Sequence, residues 1–247
     1  MRGRIDRRWI AAGLLIAVLL AGPIFFRQSD YRLAVITNGF FYAILAASWA
    51  LLAGLAGQFS FAHMALVGVG AYTAAFLGRD LGSSPLTGIA VGTLMAGLTG
   101  LIIGVLCLRL RTAYLALFTI AFSEILRIVL LTEFQYTEGS NGVQLAPLYA
   151  GITALAEYYI MLALLLGAMA AMYWLAGSRF GLFIRAMRED EEAAAAMGVN
   201  VVRYKVLVFV ITSLIIGLSG AVFYHQIGII TPNALLLLQM ALIIAFA

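Results

Sequence analysis

An all-α, polytopic transmembrane helical bundle is the fold class this sequence predicts, and three observations predict it. Of 247 residues, 64% are hydrophobic and only 11% are charged, whereas a soluble domain carries about 25% charged residues. Apolar runs of about 20 residues, the length that spans a bilayer core, recur along the whole chain. The basic residues fall in short stretches between those runs and form no single patch, so the net charge of +4 does not point to nucleic acid. Alternating segments of about ten residues, the mark of a membrane β-barrel, are not evident. One membrane domain over residues 1–247 is therefore expected, in contact with lipid, with a charged loop at 177–205.

Arg2, Arg4, Arg7 and Arg8 precede the first apolar run, 9–26. That run is long for a signal-peptide core, and Pro23-Ile24-Phe25-Phe26 offers no small-residue cleavage site, so it reads as a retained first span. Further apolar segments lie at 33–53, 61–77, 86–108, 113–131, 158–176, 206–227 and 234–247, giving about eight in all. The weakest crossing is 61–77. It follows Gly54-Leu55-Ala56-Gly57-Gln58-Phe59-Ser60, which has no charge to anchor it at an interface. This predicts a broken helix or re-entrant turn, which membrane depth tolerates only where protein or a water-filled cavity satisfies the backbone. At about 1.5 Å per residue the last segment, 234–247, reaches about 21 Å, short of a core of about 30 Å. It reads as a helix cut short. Small residues recur every fourth position at Gly88, Gly92, Ala96, Gly100 and Gly104, and again at Ser213, Gly217 and Ala221. At that spacing they line one face and predict close helix–helix packing.

Orientation follows from the basic residues. With a cytoplasmic N-terminus and every segment crossing, the inner loops hold Arg2, Arg4, Arg7, Arg8, Arg109, Arg111, Arg179, Arg185, Arg188, Arg203 and Lys205. The outer loops hold Arg27, Arg32 and Arg79, and Arg127 lies within a span. This asymmetry predicts that loop 177–205 is cytoplasmic.

Little here suits catalysis. Cys107 stands alone, so no disulfide forms within the chain, and His63 and His225 have no partners at metal-ligand spacing. A phosphate-binding loop needs a lysine after its glycines. Gly92–Gly97 has the glycine spacing, but Leu98 occupies the lysine position and Lys205 is the chain's only lysine. No enzymatic activity and no cofactor are expected on this chain. Intramembrane polar groups are the functional candidates by default. Glu124 and Arg127 share a helix face and read either as a self-neutralising pair or as the lining of a passage. Gln58, Ser60 and His63 form a second cluster, read as backbone capping or passage lining. Asn141 lies in the outer loop, within Ser140-Asn141-Gly142.

The loop 177–205 carries Arg179, Arg185, Arg188, Arg203 and Lys205 together with the acidic run Glu189-Asp190-Glu191-Glu192. Apolar residues recur at Phe183, Met187, Ala194 and Met197, a spacing that predicts a short amphipathic helix, with Gly198 as its C-terminal cap.

Glu192-Ala193-Ala194, three residues and then Gly198 resembles the EAA motif of ATP-binding-cassette importer permeases. The wider stretch SRFGLFIRAMREDEEAAAAMGVNVVRYK resembles the LivM-type permease subunits of branched-chain amino acid importers. Three further stretches agree in order: GLAGQFSFAHMALVGVGAYTAA at 54–75, YLALFTIAFSEILRIV at 114–129 and GSNGV at 139–143. The resemblance implies an inner-membrane importer in which this subunit and a LivH-like relative form the passage. Two cytoplasmic ATPases would bind ATP and Mg, and an external binding protein would deliver an amino acid. It implies further spans beyond the last segment here. It also implies that a helix over about 183–197 seats in an ATPase groove. Arg185, Met187, Arg188, Glu189, Asp190, Glu191, Glu192, Ala193, Ala194, Met197 and Gly198 would make that contact, with Met and Ala supplying an adaptable apolar face. Branched-chain amino acids are the substrate the resemblance implies first, with urea and short amides as alternatives. Two other classes fit the residues alone. One is an ion-coupled transporter using Glu124 or His63 as a proton site, and the other is a scaffold whose cytoplasmic helix recruits a partner.

Overall fold

The computed structural model describes residues 7–26, 29–106, 112–149 and 151–247. Arg2, Arg4, Arg27, Arg109 and Arg111, which enter the charge asymmetry, lie outside these residues, as does Cys107. The chain forms α1 (Arg7–Phe26), α2 (Asp30–Trp49), α3 (His63–Leu81), α4 (Pro85–Leu106), α5 (Thr112–Thr132), α6 (Phe134–Thr137), α7 (Ala154–Gly177), α8 (Arg179–Glu189), α9 (Glu191–Ala196), α10 (Val201–Ile227) and α11 (Leu237–Phe246). A π-helical stretch, Ala50–Leu55, prolongs α2. A two-residue antiparallel ladder pairs β1 (Val143–Gln144) with β2 (Ile229–Ile230).

Local chemistry sets the boundaries. Thr153 caps α7 by accepting from the Ala156 N–H, and Asn200 caps α10 by accepting from the Arg203 N–H at 3.0 Å. Proline opens α4, where its missing N–H costs nothing. Left-handed glycines, Gly82 and Gly228, follow α3 and α10.

Five described helical stretches are long and apolar enough to cross a membrane: Asp30–Leu55, Pro85–Leu106, Tyr114–Thr132, Ala154–Gly177 and Val201–Ile227. The expectation of about eight is not reached among the described residues, and for one of the remaining segments composition explains the difference. The helix expected at 61–77 is α3, which carries Arg79 and Asp80 near its end and buries small residues on several sides. α11 has 10 residues. The described apolar part of α1 is Gly13–Pro23.

α4 lies against both α3 and α10, and the small-residue stripes are the contact. A Cβ placed on Gly92 would stand 2.3 Å from the Gly70 carbonyl oxygen, and one on Gly217 would stand 2.3 Å from the Ala96 Cβ. Backbone therefore meets backbone, as small residues in membrane helices allow. α2 packs on α7, and the stacked Phe41–Phe223 rings, 4.0 Å apart, join α2 to α10. Tyr158 ties α7 to α1 by donating to the Leu19 carbonyl at 2.6 Å.

The far end of the bundle is clipped by the segment around residue 142. Gly142 has φ +78, and a Cβ there would stand 2.5 Å from the Ile230 carbonyl oxygen. Only glycine fits both demands. Leu145 donates to Gly228, and the His225 Nδ1 lies 2.7 Å from the Ala146 carbonyl, which ties α10 to this segment. Arg79 bridges the clip by donating to the Tyr136 carbonyl at 2.7 Å and pairing with Asp80.

Candidate functional site

Two features carry the candidate residues: a break inside the bundle and a hook between α7 and α10. The break begins where α2 loosens. Ala56 N–H donates to Leu51, five residues back, and Gln58 N–H donates to Leu52, six back. Gly57 then turns the chain at φ +67, and residues 56–62 stay non-helical until α3 begins at His63. π-Helical distortions of this kind concentrate at functional sites.

Protein groups satisfy the broken backbone. Phe61 N–H donates to Thr119 Oγ1 at 3.0 Å, and its carbonyl accepts from Ser123 Oγ at 3.1 Å. Both partners lie mid-way along α5, so the loop reaches the interior of the bundle. Trp49 Nε1 donates to the Ser60 carbonyl at 2.9 Å, and Ser60 Oγ accepts from the Ala62 N–H at 3.2 Å. Gln58, Ser60 and His63 are all buried, His63 completely. Ser48 Oγ, Gln58 Oε1 and the His63 ring make no hydrogen bond of normal geometry among the described residues, with the Ser48 backbone as the near neighbour of the ring. Leaving such groups unpaired costs about 1–3 kcal/mol each.

Glu124 and Arg127 pair within α5, as their spacing predicts. Arg127 Nε donates to both carboxylate oxygens, at 3.1 and 3.0 Å, and Nη2 joins Oε1. Glu124 also borders a small cavity of about 110 Å³ beside the break, with Phe61, Ser123 and Met240. Met64 lines the same cavity, whereas Gln58, Ser60 and His63 do not. Asn141 stands apart, exposed on the turn Gly139–Asn141 at the clipped end. Thr119, Ser123 and Trp49 escaped the sequence reading. Thr119 and Ser123 are four residues apart on α5, one helical turn, and that spacing was the signal available.

The hook differs from the single helix expected over about 183–197. It is two helices, α8 and α9, hinged at Asp190, whose backbone is extended at φ −154 and ψ 109. Asp190 Oδ1 accepts from the Glu192 and Ala193 N–H groups at 3.0 and 2.9 Å. A carboxylate this short prefers the cap to the helix interior. Asp190→Ala is expected to fray α9, lowering protection of the Glu192 and Ala193 amides in hydrogen exchange by about fivefold, for a cap worth about 1 kcal/mol.

The hinge redistributes the faces. Met187 and Ala194, with Ile184, turn inward and are buried, whereas Met197 is 86% exposed and Leu182 63% exposed. Arg185 donates to the Ala176 carbonyl at 2.9 Å, holding α8 against the end of α7. Lys205 reaches from α10 to Glu191 at 2.6 Å, holding α9. Glu189, Glu192 and Ala193 remain on the outside. Gly198, at φ +86, closes α9. Its N–H donates to Ala195 at 2.9 Å, and the Val199 N–H donates to Ala194 at 3.1 Å, which is the Schellman pattern.

Among the described residues, no group of three or more His, Cys, Asp or Glu side chains could hold a metal. Residues 31–247 match the family described as branched-chain amino acid transport system / permease component. The chain is 27% identical to the high-affinity branched-chain amino acid transport system permease protein LivM of Escherichia coli K12, over 94% of this chain and 60% of that protein. It is 26% identical to the Salmonella typhimurium LivM over the same shares, and 26% identical to the LivH permease protein of E. coli K12 over 80% of this chain and 70% of that one. The chain spans about three fifths of the LivM relatives' length. No solved structure matches.

Proposed function

We propose, because this chain belongs to the branched-chain amino acid transport system permease component family, that it is the membrane-spanning permease subunit of an ATP-binding-cassette importer for branched-chain or related amino acids. A LivH-like permease subunit completes the passage, two cytoplasmic ATPases bind ATP and Mg, and an external binding protein delivers the solute. The N-terminus is cytoplasmic, and α8–α9 face the ATPase. Gln58, Ser60, His63 and Glu124 border the passage, and Asn141 lies at its outer mouth.

One observation carries the reading. A two-helix hook stands between two long apolar helices, α7 and α10, presenting Glu189, Glu192, Ala193 and Met197 outward while Met187 and Ala194 root it in the bundle. Exposed carboxylates beside an exposed, adaptable methionine suit a basic-rimmed groove on a partner. A push on a rooted hook moves the attached spans.

Charge reversal tests this. Reversing Glu191 would also break the Lys205 pair, and reversing Asp190 would remove the cap, so Glu189→Lys/Glu192→Lys is the clean variant. Uptake by the complete importer is expected to fall at least tenfold, with ATPase copurification reduced and the membrane level of this chain unchanged. Undiminished uptake would sink the proposal.

A further inference from the structure

Arg188 is exposed on the hook, yet its guanidinium turns back onto the chain. Its Nη1 donates to the carbonyl of Gly54, 134 positions away in the π-helical stretch ahead of the break. A second contact confines the same arm. Gly57, at φ +67, lies over the arginine stem, and a Cβ built there would stand 3.2 Å from Arg188 Cγ and 3.6 Å from its Cβ. On the same helix Ile184 and Met187 are buried. The chain leaving Gly57 runs straight into Gln58, Ser60 and His63, where unpartnered buried polar atoms gather. Gly54 is in turn a reasonable place to hold. It lies in irregular helix, where carbonyls are freed from regular pairing, and a charged donor makes the stronger kind of hydrogen bond.

We infer that Arg188 is a positioning residue for transport, a latch joining the hook to the intramembrane break. When a partner displaces the hook, the guanidinium carries the Gly54 carbonyl with it and reshapes residues 56–62, opening or closing the polar knot behind them. The inference rests on the proposed ATPase docking of α8–α9. It assigns Arg188 to the membrane side of that device and leaves Glu189 and Glu192 to the partner side.

The test uses the complete importer in proteoliposomes with solute-loaded binding protein. It measures uptake, ATP hydrolysis and ATPase retention together. Arg188→Gln is expected to retain the ATPase and continue hydrolysis while the solute moved per ATP falls at least tenfold. Arg188→Lys keeps the charge with a single donor and is expected to recover part of that ratio. Gly57→Ala crowds the arginine stem without touching its charge, while also straining the backbone at φ +67, and is expected to lower the ratio as well. The double variant should then lose less than the product of the two single losses, because the changes share one contact, and fully multiplicative losses overturn the latch. An unchanged ratio in Arg188→Gln overturns the latch. So does loss of the ATPase from that variant, which would place Arg188 on the docking face and leave the docking proposal standing. ATPase retention by Glu189→Lys/Glu192→Lys would instead strike the docking proposal. If Arg188→Gln does not accumulate, Gly57→Ala decides: a normal ratio there overturns the latch.

Discussion

Gly198→Pro is expected to abolish uptake by the complete importer while leaving this chain in the membrane at its normal level. The physics is confined to one residue's backbone. Gly198 sits at φ +86, and proline is locked near −65°. Its N–H closes α9 on Ala195, and proline has no N–H. Met197, at φ −82 and ψ 8, is also in a region that a following proline disfavours. The Schellman closure is therefore lost from both sides, and the path from α9 into α10 changes direction. A Cβ at Gly198 would meet nothing within 4 Å, so crowding is not the cause and a graded series separates backbone from bulk. Asn, which tolerates the left-handed region, should transport nearly as well as Gly. Ala pays a strain of about 1–2 kcal/mol and should lose a few-fold. Pro should lose at least a hundredfold. Vesicle uptake normalised to membrane-inserted protein measures the series. Equal uptake in the Ala and Pro variants would show that the cap geometry is not what transport requires.

That cap was legible from sequence because a glycine after an alanine-rich turn has few other reasons to be there. The break at 54–60 was legible for a similar reason: an uncharged, glycine-bearing stretch between apolar runs is hard to place in an unbroken span. The Glu124–Arg127 pair followed from spacing alone. The hinge at Asp190 was not read, although it left a trace. In Glu189-Asp190-Glu191-Glu192 only the aspartate is short enough to bond the N–H groups two and three residues ahead. Treating the run as four equal charges hid it. The consequence is physical, since a continuous helix would keep Met187 and Met197 within about 80° of each other on one broad face, whereas the hinge buries one and exposes the other. The long-range contacts could not have been read at all. Arg188 to Gly54 and Phe61 to α5 depend on how the bundle closes, and no local pattern encodes them. The run at 61–77 is the weakest crossing in the sequence, and α3 indeed starts from a loop bonded to the middle of α5.

Gly92→Leu is expected to prevent the bundle from assembling. Three helices converge here with nothing larger than a methyl group between them. A Cβ on Gly92 would stand 2.3 Å from the Gly70 oxygen, one on Gly70 would stand 2.6 Å from the Gly217 oxygen, and one on Gly217 would overlap Ala96. The obstructing atoms are backbone or Cβ, so no rotamer change relieves them, and α3, α4 and α10 must separate. Within lipid, apolar surface alone gives helices little reason to associate, and close packing supplies the attraction. Separation removes that attraction along the whole contact, so the loss should reach or exceed the upper end of overpacking penalties, about 3 kcal/mol. The expected result is a membrane level below a tenth of normal, with the residual protein sensitive to protease and aggregating in detergent. Gly167→Leu is the matched control: it adds the same side chain to α7, where a Cβ would meet nothing within 4 Å, and should accumulate normally. If Gly92→Leu accumulates and melts like Gly167→Leu, the contact among α3, α4 and α10 is not what holds the bundle together.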